Sequence, residues 1–343
     1  MKKIFMLFSI FQIVFLAFIN ISIAIELSEG YWYEDYITGL ESPTILAFDS
    51  AYNLYVARDS GDGSGDGDGI KVRIYKIDKD LNVDLIGPEM QDPDSISIDI
   101  DDTIYIGYHD GIYSLLPNGT SSVYEEQTNN NISGVVVDLL GIFSSRSLYI
   151  GKAGKSTNQL IQHDGRSLKE FELNAEMESP HALTFDDNKY LYVASSNSVY
   201  RISSDGKAET FIEFDNYVES IAFNRNDRNL YIGVISSSST SENKIYKVSL
   251  NAELSLFATG IKAYGIFIDD NENYFVSDRI VVPHRIVKIS KNVNPCEGLY
   301  TKEEVNNMIS KIISWGDLNK DNMIGLEEAI RALIIASGAK DNQ

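Results

Sequence analysis

The chain has 343 residues and a formal charge of -21, from 29 Lys and Arg against 50 Asp and Glu. So acidic a surface disfavours nucleic acid and anionic lipid as partners, because both would be repelled. A lone cysteine, Cys296, excludes an internal disulfide framework, and the length suits one large domain plus a small one.

Residues 1–24, MKKIFMLFSIFQIVFLAFINISIA, read as an export signal. Lys2 and Lys3 lead a long apolar run, and Ser22 and Ala24 supply the small residues that signal peptidase needs before its cut. The alternative is an uncleaved anchor, since the run from Ile4 to Ile23 is nearly long enough to span. Cleavage removes two positive charges and no negative ones, taking -21 to -23. An exported chain without disulfides points to a bacterial envelope or exterior, secreted or periplasmic. The sequons at Asn118 and Asn131 then carry little meaning, and no later stretch could cross a bilayer.

A unit of alternating apolar residues, a terminal Asp or Asn, a polar turn and a Leu-Tyr-Val-like strand then recurs. The second strands begin at Leu54, Ile104, Leu148, Leu191, Leu230 and Tyr274, in steps of 50, 44, 43, 39 and 44 residues. A period near 40–45 with several short strands per unit marks a propeller blade. First strands are expected at 43–49, 93–99, 133–138, 180–186, 218–224 and 264–269, and third strands at 71–78, 111–119, 158–165, 198–206, 243–250 and 284–291. Five units continue into a fourth strand, such as AETFIEF at 208–214 and LSLFATG at 254–260. The sixth does not, because Asn294-Pro295-Cys296 ends it. YEDYITGLESP at 33–43 has the shape of LSLFATGIKAYG at 254–265, so the N-terminal strand is expected to complete the last blade and remove the open edges. The fold class expected is an all-β six-bladed β-propeller closed by an N-terminal strand, plus a small helical module.

Between the second and third strands of the first blade runs RDSGDGSGDGDGIK, residues 58–71. Asp62, Ser64, Asp66 and Asp68 alternate around glycines and could wrap calcium, although position 12 is Arg73 and the segment is no EF loop. The plainer reading is a flexible acidic loop.

Over residues 31–293 the strand pattern resembles the NHL-repeat and gluconolactonase-like (SMP-30-like) six-bladed propellers. In such propellers the first strands of the blades line a central channel. Aligning their starts puts Thr44, Asp94, Ser133, His181, Glu219 and Tyr264 at equivalent positions. The resemblance implies a divalent metal held in the channel. Glu41-Ser42-Pro43, Pro180-His181-Ala182 and Glu219-Ser220 stand in the matching blades, but two of the three residue types differ from the family's. The possible channel set is Glu41, Asp94, His181 and Glu219, a mixed O/N site suited to zinc or manganese rather than calcium. The plainer reading is that these residues line a wet channel.

The tail reads as an EF-hand. In DLNKDNMIGLEE the ligand positions fall on Asp317, Asn319, Asp321, Met323 (through its carbonyl), Gly325 (through water) and the bidentate Glu328. Position 6 is Asn322, which tolerates the left-handed backbone that Gly normally supplies there. Thr301 to Glu304 forms a capping box, and apolar stripes at Val305–Ile313 and Ala329–Ile334 follow at helical spacing. A single hand leaves an apolar face open, so it is expected to pair with another copy, with the propeller or with a separate protein or envelope partner.

The organisation expected is a signal peptide at 1–24, a propeller at 25–294 and a calcium-binding module at 295–343. The main reading is an exported binding propeller with a calcium-dependent attachment tail. The alternative is a metal-dependent lactonase-type hydrolase using the channel.

Overall fold

The computed structural model describes residues 25–59, 71–109, 111–126, 131–139, 148–153, 159–163, 168–174, 177–236 and 242–291. The export segment lies outside them. So do the loop residues Asp62, Ser64, Asp66 and Asp68, and the whole tail with Asp317, Asn319, Asp321, Met323, Gly325 and Glu328. All described strands belong to the first of two units, Met1–Lys291.

The chain opens with β1 (Glu26–Leu27) and β2 (Tyr31–Leu40). There follow β3 (Pro43–Phe48), β4 (Leu54–Arg58), β5 (Lys71–Ile77) and β6 (Val83–Gln91) as one antiparallel sheet, and β7 (Ser95–Ile98), β8 (Ile104–Tyr108), β9 (Gly111–Leu115) and β10 (Ser121–Glu126) as the next. The third holds β11 (Asn131–Val137), β12 (Leu148–Ala153), β13 (Gln159–His163) and β14 (Leu168–Glu170). The fourth holds β15 (Pro180–Phe185), β16 (Tyr190–Ser195), β17 (Ser198–Ser203) and β18 (Ala208–Glu213). β19 (Tyr217–Asn224), β20 (Asn229–Ile235), β21 (Lys244–Ser249) and β22 (Leu254–Thr259) follow, then β23 (Ala263–Ile268), β24 (Tyr274–Asp278) and β25 (His284–Lys291). The result is a β-propeller in which five sheets have four strands and one, β19 to β22, has five because β1 is added at its outer edge.

The last sheet borrows its outer strand from the start of the chain: β2 pairs antiparallel with β25, Tyr33 opposite Ile289 and Thr38 opposite Arg285. This pairing covers the edge that β25 would otherwise expose. Arg285 reaches Asp35 at 2.7 Å, and Tyr36 packs edge-on to Phe275 with centroids 5.1 Å apart. The extra strand β1 was not foreseen. It sets Glu26 opposite Thr259, Ser28 N donates to Phe257 O at 2.9 Å, and Ile25 is buried in the apolar cluster between the last two sheets. The segment 25–40 therefore straps the outer edges of both.

The recurring sequence signature has a physical source at the face where first and second strands join. Asp269 accepts from Asn271 N and Asn273 N, closing the turn, and it also takes the hydroxyl of Tyr52 from the first sheet. Asp49 and Asp186 close their turns in the same way and receive Tyr55 and Tyr192 hydroxyls at 3.0 and 3.3 Å. The Tyr of Leu-Tyr-Val thus buries its ring and satisfies its hydroxyl on the Asp that ends the preceding strand.

Sheets meet through their first strands. A Cβ added at Gly265 would lie 2.6 Å from Thr44 O, and one at Gly134 would lie 1.8 Å from His181 O. Glycine at these points lets adjacent first strands approach backbone to backbone. Ser277 Oγ donates to Thr44 O at 2.6 Å and Ser220 Oγ to Ala263 O at 2.8 Å, stitching neighbouring sheets.

Candidate functional site at the channel mouth

The first strands share a defect. In β11, β15, β19 and β23 the pairing to the second strand skips one residue near the start: Ser133, His181, Glu219 and Tyr264. In β3 it skips Thr44 and Ile45, and Asp94 immediately precedes β7. These β-bulges fall on the residues that sequence alignment puts in register. A bulge leaves its residue free of the ladder and re-aims the side chain, which is why bulges recur at binding sites.

His181 does not project freely. It is buried, its ring stacks on Tyr217 with centroids 5.0 Å apart and planes 12° apart, and its nitrogens face Ser179 O at 2.7 Å and Val218 O at 2.5 Å. Burial pushes its pKa down, while the carbonyls of Ser179 and Val218 act in the opposite direction, and the ring bridges β15 to β19. Glu41 lies before β3, with its side chain 74% exposed and paired to Arg58. Asp94 sits partly buried, its backbone N donating to Gly107 O at 3.1 Å. No group of three or more His, Cys, Asp or Glu side chains among the described residues comes together as a metal site. The divalent metal implied by the family resemblance does not fit these donors. His181 has both nitrogens engaged by carbonyls, and Glu41 is committed to Arg58.

Glu219 has different neighbours. It is enclosed by protein while keeping some access to solvent, and burial raises its carboxyl pKa from 4.5 to about 7. Arg279 and Lys262 oppose that rise, and Asp59 adds to it. The two cations share one platform: the Arg279 guanidinium lies 4.2 Å and the Lys262 ammonium 5.1 Å from the centre of the Tyr264 ring. Arg279 also pairs with Asp59 at 3.2 Å. His284, at the start of β25, accepts the Ser42 amide on Nδ1 at 3.0 Å, which fixes its proton on Nε2 when neutral. Burial and the nearby Arg279 hold its pKa below the usual range.

Lys262 borders a cleft of about 360 Å³ that is also lined by Asp215, Asn216, Tyr217, Ile235 and Ser236. Two buried hydroxyls, Thr44 Oγ1 and Ser95 Oγ, have no hydrogen-bond partner among the described residues. Arg279, Asp59 and His284 escaped the sequence reading because only the first-strand starts were aligned, and Lys262, just before β23, stands two residues short of the aligned Tyr264. The ends of second strands and starts of third strands reach the same face. Arg58-Asp59 at the end of β4 and Asp278-Arg279 at the end of β24 are the visible trace.

No family model matches the chain, and no curated protein is a significant match to its sequence. Solved structures do resemble it. A gluconolactonase from Xanthomonas campestris aligns with a TM-score of 0.56 at 12% identity, over 75% of this chain and 87% of its own. A luciferin-regenerating enzyme aligns with a TM-score of 0.58 at 12% identity, over 76% and 95%. A Trichoderma reesei carbohydrate-active enzyme of family AA12 aligns with a TM-score of 0.59 at 12% identity, over 78% and 98%. At such identities the likeness establishes the fold, and the chain is a β-propeller similar in shape to gluconolactonase-like proteins.

Proposed function

We propose that the chain is a lactonase-type hydrolase acting at the channel mouth, with Glu219 as the general base. The carrying observation is a carboxyl with a pKa of about 7 beside Lys262 and Arg279. A base poised near neutral pH combines a usable ionised fraction with a strong pull on a proton. Glu219 would take a proton from water as the water oxygen bonds to the lactone carbonyl carbon. Lys262 and Arg279 face the negative charge that develops on the carbonyl oxygen. Collapse of the intermediate breaks the ring C–O bond, and the proton passes to the departing alkoxide, leaving a hydroxy acid. The solved enzymes of similar shape, a gluconolactonase among them, favour this reading over a pure binding role. The ring in this reading has six blades, the five-stranded sheet serving as one of them. The test is hydrolysis of a lactone panel by the wild-type chain and by Glu219→Gln. Turnover that Glu219→Gln lowers by about a hundredfold or more supports the reading, and equal turnover refutes it.

A second reading rests on the tail. The loop at 317–328 matches the EF-hand ligand pattern at positions 1, 3, 5 and 12 with Asp317, Asn319, Asp321 and Glu328. With the signal-like residues 1–24, it favours an exported propeller that a calcium-loaded tail attaches to an envelope partner. The two readings are compatible, since one concerns the channel and the other the anchorage.

A further inference from the structure

We propose that the cleft lined by Asp215, Asn216, Tyr217, Ile235, Ser236 and Lys262 binds small zwitterions of the α-amino acid type, with the ammonium on Asp215, the carboxylate on Lys262 and an apolar side chain against Ile235. The proposal goes beyond the hydrolase reading and needs neither a lactone nor its product.

The fold builds the cleft from strand ends and connections at one face. Asp215, Asn216 and Tyr217 lead from β18 into β19, Ile235 ends β20, and Lys262 leads from β22 into β23. The Asp215 segment is anchored on both sides. Phe214 N donates to Asn197 O and Asn197 Nδ2 donates to Phe214 O, each at 2.9 Å, while Val218 N donates to Ser196 O at 2.8 Å. Tyr217 is fixed further by its stack on His181, with ring centres 5.0 Å apart, and still keeps 38% of its surface exposed. Lys262 is held as firmly. Its backbone N donates to Asp278 Oδ1 at 3.1 Å, and its ammonium lies 5.1 Å from the centre of the Tyr264 ring.

Two unlike charges therefore line one cleft without neutralising each other. Among the described residues neither Asp215 nor Lys262 forms an ion pair, with the other or elsewhere. A ligand that carries the same two charges in reverse satisfies both ends at once. The charges around the cleft decide against simple ions. Glu242 accepts the Ser236 hydroxyl at 2.8 Å, which adds a negative charge beside that part of the lining. Asp59 pairs with Arg279 at 3.2 Å, Asp278 with Arg285 at 2.9 Å, and Glu41 with Arg58. Burial and the nearby Arg279 hold the His284 pKa low, so it adds no charge at neutral pH. Lys262 and Arg279 thus face Asp215, Asp59 and Glu242, and Glu219 adds part of a further negative charge near pH 7. The balance is acidic, which opposes a plain anion, and Lys262 repels a plain cation. A zwitterion adds no net charge.

Size and lining narrow the class. About 360 Å³ lies at the low end of small-molecule sites and suits one amino acid rather than a peptide. Ile235 and the Tyr217 ring are the apolar part of the lining, which favours an aliphatic side chain on the ligand. The Asn216 amide can donate to the carboxylate or accept from the ammonium. The Tyr217 hydroxyl stays protonated, because burial and then the charge of Glu219 push its pKa up to about 12, so it leaves the charge balance unchanged.

The experiment is a calorimetric titration of the full chain at neutral pH with leucine, isocaproate and isoamylamine. The second is leucine without its ammonium and the third is leucine without its carboxylate. Leucine is expected to bind about tenfold or more tightly than either, the return for charge-assisted bonds at both ends. Asp215→Asn should bring leucine to the level of isocaproate and leave isocaproate no weaker. Lys262→Gln should bring leucine to the level of isoamylamine and leave isoamylamine no weaker. Circular dichroism and melting curves confirm that each variant folds. Asp215 is exposed and makes no side-chain hydrogen bond among the described residues, so Asp215→Asn decides the matter even if Lys262→Gln does not fold. A singly charged ligand that binds as tightly as leucine, no leucine binding up to about 50 mM, or an unchanged Asp215→Asn overturns the proposal. A chain that binds leucine yet turns over no lactone keeps this site and loses the hydrolase reading; turnover without leucine binding does the reverse.

Discussion

Arg279 lies with its guanidinium carbon 4.2 Å from the centre of the Tyr264 ring, and this stack joins the end of β24 to the start of β23 at the channel mouth. Asp59, beyond the end of β4, holds the other side of the same guanidinium at 3.2 Å. The contact therefore spans the point where the last sheet meets the first. It also sets the field felt by Glu219.

That field predicts opposite shifts from two substitutions. Asp59 raises the Glu219 pKa and Lys262 lowers it. Asp59→Asn should move the acidic limb of the pH–rate profile to lower pH. Lys262→Gln should move it to higher pH. Profiles of kcat/KM across pH 5 to 9 on any lactone that is turned over decide this. Two shifts of the same sign would mean that Glu219 is not the titrating base.

Glu219 should also weaken the fold at alkaline pH. Its carboxyl pKa is 4.5 when exposed and about 7 in place, so folding disfavours the ionised form. Stability attributable to this group is intact below pH 4.5 and declines as pH rises through 7, where the penalty reaches its full size of about 3 kcal/mol at most. Glu219→Gln removes the penalty. The variant should melt higher than wild type at pH 8.5 and about equally at pH 4.5, while losing activity at every pH. Melting curves at the two pH values suffice; a variant equally destabilised at both would point to lost packing instead.

The architecture could be read from the chain because one local interaction repeats. Asp49 and Asp186 each close a turn and receive the hydroxyl of the Tyr in their own second strand, so the signature and its 40–45-residue period are written in residue types. Closure by the N-terminal strand was legible for a similar reason: the run at 33–40 has the pattern of the outer strand that the last unit lacks. The register of Thr44, His181, Glu219 and Tyr264 was legible too, and the bulges explain it. What side chains do at that register was not. His181 bridges two backbone carbonyls, which no spacing reveals. Lys262 precedes β23 and Arg279 follows β24, so both act on Glu219 from the neighbouring sheet. The strap β1 is two residues long, too short to carry a pattern.

The N-terminal segment should behave as a latch. β2 supplies the outer strand of the last sheet, and β1 with Ile25 fastens the sheet before it. Deleting residues 31–38 should abolish cooperative unfolding, because β25 would lose its partner and Phe275 its edge contact with Tyr36. Ile25→Asp should have a milder effect of about 2–3 kcal/mol, from burying a charge in an apolar cluster. A truncated chain that keeps the wild-type melting temperature would refute the latch.

Close backbone approach makes a second stability prediction. A methyl at position 134 would sit 1.8 Å from His181 O, and that contact is with backbone, which cannot swing aside. Gly134→Ala should destabilise by about 3 kcal/mol or more. It should also displace the start of β15, so near-ultraviolet dichroism of the Tyr217 and His181 stack should change with it. A substitution neutral in denaturant titrations would show that the first strands are further apart than described.

The tail makes the prediction with the most specific chemistry. Asp317, Asp321 and Glu328 would crowd three negative charges into one loop, and calcium relieves that repulsion as it binds. For a module this small the binding energy is also folding energy. Calcium should therefore raise the helicity of a peptide comprising residues 296–343, which excludes the Asp-Gly loop at 58–71. Affinity should be modest, on the order of 10⁻⁵ to 10⁻³ M, because the hand is single and Asn322 stands where Gly is preferred. Glu328→Gln should weaken binding more than any other single change, since it removes the one carboxylate able to bind through both oxygens. Helical dichroism followed during a calcium titration reads the outcome. No rise by about 10 mM calcium, or an unaltered response in Glu328→Gln, would remove the EF-hand and with it the attachment role of the tail.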